Sequence, residues 1–130
     1  MKISAESEFL IIGHRGAAGL APENTLTSFN KALDLGCAAL ELDIHPVGSK
    51  LAVIHDFELD RTTNRTGRVA DLTEAELSQI DAGDDAGIPT LSQVFNAATN
   101  HTNPPKLINI EIKGKSSSAL LSNFIESYGG

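Results

Sequence analysis

A single cysteine, Cys37, is the only thiol in 130 residues. An internal disulfide is therefore excluded, and with no second Cys nearby so is a Cys-based zinc or redox site. Cys37 is read as a small core residue. Positive charge is also scarce: 10 Lys and Arg stand against 17 Asp and Glu, a formal charge of −7. That balance provides no basic footprint for nucleic acid or an anionic membrane surface, so an anionic substrate would have to be met by local cationic groups. No apolar stretch reaches the length of a bilayer span. The first nine residues, which include Lys2, Glu6 and Glu8, lack the apolar run of a secretory signal. A soluble, cytoplasmic protein is the resulting expectation. Internal repeats, low-complexity tracts and linkers are absent too, and 41% hydrophobic with 21% charged residues suits one ordinary globular domain or part of one.

Phe9-Leu10-Ile11-Ile12, closed by Gly13, is a short apolar run that predicts a strand buried on both faces, as in a parallel sheet. From Asn24 onward Leu26, Phe29 and Leu33 form a helical stripe, and Gly36 supplies its stop. A second strand is predicted over 39–45. Only about five residues separate it from the apolar run 51–54, too few for a parallel crossover, so these two pair as an antiparallel hairpin. The polar, Gly-containing stretch 61–85 reads as an inserted lobe with a short helix at 73–77, where Thr73 and Glu76 have capping-box spacing. Regular alternation returns at Thr90, which again has a capping partner in Gln93, with Leu91, Val94, Phe95 and Ala98 on one stripe ending near Asn100. A third strand is predicted over 106–113, followed by a helix presenting Leu121, Phe124, Ile125 and Tyr128. This βα alternation argues for an α/β fold with a parallel sheet, either a small open sheet or the first part of a closed barrel.

The charged residues collect at strand ends, where α/β enzymes build their sites. His14 and Arg15 follow the first strand. Glu41, Asp43 and His45 alternate along the second, facing away from Leu40, Leu42 and Ile44, and Glu111 and Lys113 repeat the pattern on the third. Three carboxylates gathered in this way repel one another unless a cation neutralises them, and hard oxygen donors suit Mg²⁺ or Ca²⁺, with Mn²⁺ as an alternative. The bland alternative is a set of solvated strand ends paired with Arg15 or Lys113. A metal with Arg and Lys beside it suits a phosphoryl group. His14 and His55 then either divide general acid and base work or are buried structural histidines. His101 reads as a loop residue, and His45 is ambiguous.

Taken in order, His14-Arg15-Gly16, Ala21-Pro22-Glu23-Asn24-Thr25, Glu41-Leu42-Asp43, His55-Asp56, Asp60-Arg61-Thr62-Thr63 and Asn109-Ile110-Glu111-Ile112-Lys113 resemble the glycerophosphodiester phosphodiesterases over about residues 9 to 114. The resemblance implies an α/β chain that forms the N-terminal portion of a TIM (β/α)8 barrel, with a hairpin and small insertion after the second parallel strand. It makes residues 1–130 a single partial domain, with the insertion at about 46–88 and the later barrel strands absent. It further implies metal-dependent hydrolysis of a small glycerophosphodiester to glycerol 3-phosphate and an alcohol. His14 and His55 would carry acid–base work, Glu41, Asp43 and Glu111 one divalent cation, and Arg15 and Lys113 the phosphate. Glu23 matches a motif acid that would support the site or bind near the metal.

Three departures accompany this match. Val47-Gly48-Ser49-Lys50 replaces a Lys-Asp-Gly-like turn, and Gln93 stands where an acid is common. The family's later strands have no counterpart, and three strands cannot close a barrel, so unless these residues are a piece of a longer chain the open seam predicts self-association or pairing with another chain. Two other functions fit the same residues: a catalytically inactive interaction module, and a lysophospholipase D-like lipid phosphodiesterase.

Overall fold

A computed structural model describes residues 2–3, 9–114 and 117–128. Strands β1 (Lys2–Ile3) and β2 (Phe9–Leu10) form a small antiparallel ribbon. The main sheet is built on β4 (Ala39–Val47), which pairs in parallel with β3 (Ile12–His14) and with β6 (Leu107–Ile112), and antiparallel with β5 (Lys50–Val53). Ala39 is paired with both Ile12 and Leu107, and Ile44 with both Val53 and Ile112. A strand has only two edges, so β3 and β5 lie end to end along one edge of β4 and β6 runs along the other. The expected hairpin is present, turning at Gly48-Ser49 with Gly48 at φ 59°, a conformation glycine adopts without steric cost.

Helix α1 (Leu26–Asp34) starts at Thr25, whose hydroxyl accepts from the Ser28 N–H. Helix α2 (Leu91–Thr99) has the full reciprocal box predicted at Thr90 and Gln93. With α3 (Ser117–Tyr128) these helices cover the face of the sheet that carries Leu40, Leu42 and Ile44, all three wholly buried with Phe29, Leu33, Leu91 and Val94. A second core fills the inserted lobe, where Val47, Ala52 and Ile54 meet Leu59, Val69, Leu77, Ile80 and Ile88. The predicted lobe helix is a single 3-10 turn, Glu74–Glu76, with Glu76 reaching back to the Thr73 N–H and hydroxyl, and a second turn at Val69–Asp71 precedes it. Among the described residues no helix is long and apolar enough to cross a membrane.

Two expectations need correction. The run 9–12 is not one strand buried on both faces: it divides between β2 and β3, and Ile11 and Ile12 are 48% and 37% exposed. Among the described residues β3 has β4 on one side only, so the second covering neighbour of a central strand is missing. On α3, Ile125 is exposed and Leu120 packs in its place. Leu120, Leu121 and Phe124 follow the three- and four-residue spacing of one helix face, and Ile125 lies about 100° round from Phe124. Tyr128 closes the stripe at its end, stacked on Phe124 and edge-on to Phe95.

Truncating Leu42, at the centre of the first core, should cost about 2–5 kcal/mol. Leu20, which is exposed, should lose less than about 0.5 kcal/mol when cut to Ala. Urea denaturation of Leu42→Ala and Leu20→Ala checks both, and equal losses would contradict the described core.

Candidate active site

The turn after β3 is unusual in its backbone. Arg15 at φ 52° and Asn24 at φ 57° both occupy the left-handed region, a strain of order 1 kcal/mol or more each that needs compensation. The compensation is visible. Arg15 donates its N–H to Glu41 Oε2 at 3.1 Å, and its carbonyl accepts from the Asn24 N–H at 2.8 Å and the Ser28 hydroxyl at 3.0 Å. Gly16 is required here, because a Cβ would meet the Ser28 carbonyl carbon at 2.8 Å and the Phe29 nitrogen at 2.9 Å. The loop is thereby folded down on α1, with the Arg15 side chain turned toward the carboxylates.

Glu41 and Asp43 project from the face of β4 opposite the helices, and the register Asp43↔Glu111 brings β6 alongside. One oxygen from each of Glu41, Asp43 and Glu111 lies within 4.8 Å of the others. Asp43 is completely buried. Its Oδ2 accepts from the Asn24 amide at 3.1 Å and lies 3.6 Å from Arg15 Nε, while its Oδ1 is buried with no hydrogen-bond partner among the described residues. Burial, then the neighbouring Asp43 charge, push the Glu41 carboxyl above its ordinary value. At the open side Lys113 donates to Glu111 at 3.0 Å and holds that carboxyl below the usual range.

A second group of side chains gathers around Arg61. Its guanidinium spans Asp56, at 2.8 and 2.9 Å, and Glu23, at 3.0 Å to each oxygen. Glu23 also receives Arg15 at 3.2 Å. On the other side Asp56 Oδ1 lies 2.7 Å from His55 Nδ1. Arg15, Glu23, Arg61, Asp56 and His55 therefore make one continuous chain of charge-assisted hydrogen bonds. Its effect on acidity is direct. Arg61, then His55, hold Asp56 well below the ordinary aspartate value. Burial pushes Glu23 upward, but the bonds and charges of Arg61 and Arg15 outweigh it and leave Glu23 low. His55, Asp56, Arg61 and Lys113 line an open cleft of about 490 Å³.

The structure gathers all seven residues singled out from the sequence. His14, at the end of β3, is 66% exposed and lies 3.4 Å from Glu41, and His55 is 30% exposed, so neither is a buried structural histidine. The buried one is His45. Glu23 joins the arginine network and not the acidic cluster. Asn24, Asp56 and Arg61 had no role assigned. The signal for Asn24 lay in its residue type, since Asn tolerates positive φ better than most residues, and that for Asp56 in its place beside His55. Arg61 is marked only as part of the Asp60-Arg61-Thr62-Thr63 motif, which does not indicate its partners.

The lowered pKa values of Asp56 and Glu23 fix a pH dependence. Unfolded, these groups take up protons near 3.8 and 4.5; folded, they do so only in stronger acid. The stability they contribute is present above about pH 5 and drains away as the pH falls through and below that range. Arg61→Ala should therefore lower the urea midpoint clearly at pH 7 and progressively less as the pH falls below about 3, toward the folded values, and an equal loss at pH 7 and at about pH 2 would show that the network adds no such stability.

Comparison with known proteins was consistent at the levels of sequence and fold. A glycerophosphodiester phosphodiesterase of Caldanaerobacter subterraneus is 42% identical over 112 residues, covering 80% of this chain and 45% of the relative. The human protein named glycerophosphodiester phosphodiesterase 1 is 34% identical, covering 88% of this chain and 38% of its own length. The chain thus spans less than half the length of these curated relatives. Among solved structures, a glycerophosphodiester phosphodiesterase from Agrobacterium tumefaciens superposes with a TM-score of 0.83 at 33% identity, over 94% of this chain and 53% of that one. An Oleispira antarctica phosphodiesterase, solved in complex with the product sn-glycerol-3-phosphate, has a TM-score of 0.79 at 29% identity, over 91% and 51%. The open parallel sheet with its hairpin and inserted lobe corresponds to the N-terminal portion of a TIM (β/α)8 barrel. With residues 14–124 matching the model of the glycerophosphoryl diester phosphodiesterase family, the chain belongs to that family.

Proposed function

We propose that this protein hydrolyses glycerophosphodiesters to glycerol 3-phosphate and an alcohol, using one divalent cation and histidine acid–base chemistry. The observation that carries the reading is the Glu41, Asp43 and Glu111 cluster, with a buried Asp43 oxygen that has no partner among the described residues, set between an arginine and a lysine. Three carboxylate donors fit Mg²⁺ or Ca²⁺, with Mn²⁺ as an alternative. The raised Glu41 carboxyl and the orphaned Asp43 Oδ1 mark a repulsion and an unmet valence that such a cation would relieve. A bound divalent ion supplies a Lewis acid for a phosphoryl oxygen and neutralises charge as it develops there.

The chain's own groups perform the remaining tasks. Arg15, beside the cluster, offers a planar fork to phosphoryl oxygens, and the Lys113 ammonium offers a point charge from the opposite side. Asp56 accepts from His55 Nδ1–H, which leaves Nε2 as the ring nitrogen presented for proton transfer, and Arg61 holds the Asp56 carboxylate in place. His14 stands next to Glu41, at 3.4 Å. Two histidines near the acidic cluster would supply what diester hydrolysis needs: one group to activate a nucleophile and another to protonate the departing alkoxide. The relative bound to sn-glycerol-3-phosphate supports the glycerol phosphate half of the substrate.

The test is release of glycerol 3-phosphate from glycerophosphocholine or glycerophosphoethanolamine with Mg²⁺ or Ca²⁺, its loss with EDTA, and a fall of about 10²- to 10⁴-fold in His14→Ala and His55→Ala. Preferential turnover of lysolipid would reassign the substrate. Calorimetry gives a separate check. The wild-type protein should bind a divalent cation and Asp43→Asn should not, and an absence of binding in the wild type would sink the metal-dependent reading.

A further inference from the structure

His45 follows Glu41 and Asp43 on the same face of β4 and takes no part in the chemistry described above. Only 3% of it is exposed. Its Nε2 lies 3.0 Å from the carbonyl oxygen of His55, and its ring meets Phe57 edge-on, with centroids 4.8 Å apart and planes at 87°. One buried side chain therefore braces the His55-Asp56-Phe57 turn at both ends. A carbonyl oxygen only accepts, so Nε2 carries the hydrogen and His45 is the donor. Burial pushes the imidazole below its ordinary value, which favours the neutral ring.

The position of this contact is informative. The hairpin ladder continues as far as the Ile54 N–H, which donates to the Asp43 carbonyl at 3.1 Å, and the turn carrying His55 begins immediately beyond. The His55 carbonyl is then met by a side chain of the same strand that carries Glu41 and Asp43. That strand is paired on both edges over part of its length and is the most constrained element of the sheet.

We propose that His45 is a positioning residue for the hydrolysis described above: its Nε2–H fixes the His55 peptide, and with Phe57 it sets where the His55 ring stands relative to Glu41, Asp43 and Glu111. The role rests on that hydrolase reading. His45 ties an acid–base group on a turn to the strand holding the acidic cluster, much as outer-shell partners orient the ligands of metal sites. Without the tie, the turn alone would set the separation between them, and a displacement of about 1 Å is enough to cost on the order of 100-fold in rate.

The experiment is steady-state kinetics on the metal-loaded protein with two substitutions. His45→Phe keeps a ring against Phe57 and removes the donor, whereas His45→Gln offers an amide donor near the place of Nε2. His45→Phe should lower kcat about 10- to 100-fold while leaving KM and divalent-cation affinity within about twofold, and His45→Gln should recover most of the rate. A purely structural His45 would move the melting temperature and leave kcat alone. A folded His45→Phe protein that turns over as fast as wild type overturns the role, as does a His45→Gln protein no faster than His45→Phe. Should His45→Phe fail to fold, ¹⁵N spectra of the wild-type ring decide: a hydrogen on Nε2 is expected, and a neutral Nδ1–H tautomer with a bare Nε2 refutes the contact. A wild-type protein inactive with every divalent cation removes the hydrolase reading and this role together, whereas an active wild type matched by His45→Phe removes this role alone.

Discussion

Asp43 is a fully buried carboxylate in the middle of the central strand, and much of the surrounding structure compensates for its being there. An ionised carboxylate taken out of water costs several kcal/mol unless partners replace its hydration. Two partners come from the β3–α1 turn. Asn24 and Arg15 each hold a disfavoured backbone conformation while the Asn24 amide reaches Asp43 and the Arg15 guanidinium lies beside it. The strain of that turn and the burial of that carboxylate are two sides of one arrangement. It remains incomplete on one side, since the second Asp43 oxygen has no donor among the described residues, and Glu41 and Glu111 converge near this carboxylate.

The alternation of β4 separates adhesion from chemistry. Leu40, Leu42 and Ile44 anchor the helices, while Glu41, Asp43 and His45 face the opposite way, so a shift of one residue in register would exchange the two sets and destroy both. Because β6 runs in register with the same strand, Glu111 arrives beside Asp43 without any loop having to place it. The groups on either side are held less rigidly: His14 at a strand end, and His55 on a turn braced by Asp56 and His45.

What could be read from the sequence was whatever local spacing encodes. Alternation along 39–45 and 106–113, the Thr90 and Gln93 cap, the short hairpin connection and the stop at Gly36 all depend on neighbours a few residues apart, and each is found in the structure. The failures share another cause. Ile11 and Ile12 are apolar enough for a central strand, but their burial depends on a neighbour that hydrophobic pattern alone does not supply. Ile125 and Leu120 are equally apolar, and only the position of the sheet chooses between them. Arg61 reaches Glu23 across 38 residues of chain, a pairing that no periodicity announces.

One further property follows from β5. Its residues alternate between the two cores: Leu51 and Val53 belong to the sheet core, and Ala52, with Ile54 just past the strand's end, to the core of the inserted lobe. A wall shared in this way joins the two into one cooperative unit, since the lobe cannot open without stripping one face of a strand whose other face closes the sheet. In hydrogen-exchange terms the amides of Leu51, Ala52 and Val53 mark a common opening event, and the lobe behaves as a fixed partition of the molecule, not as a hinged flap over the cleft.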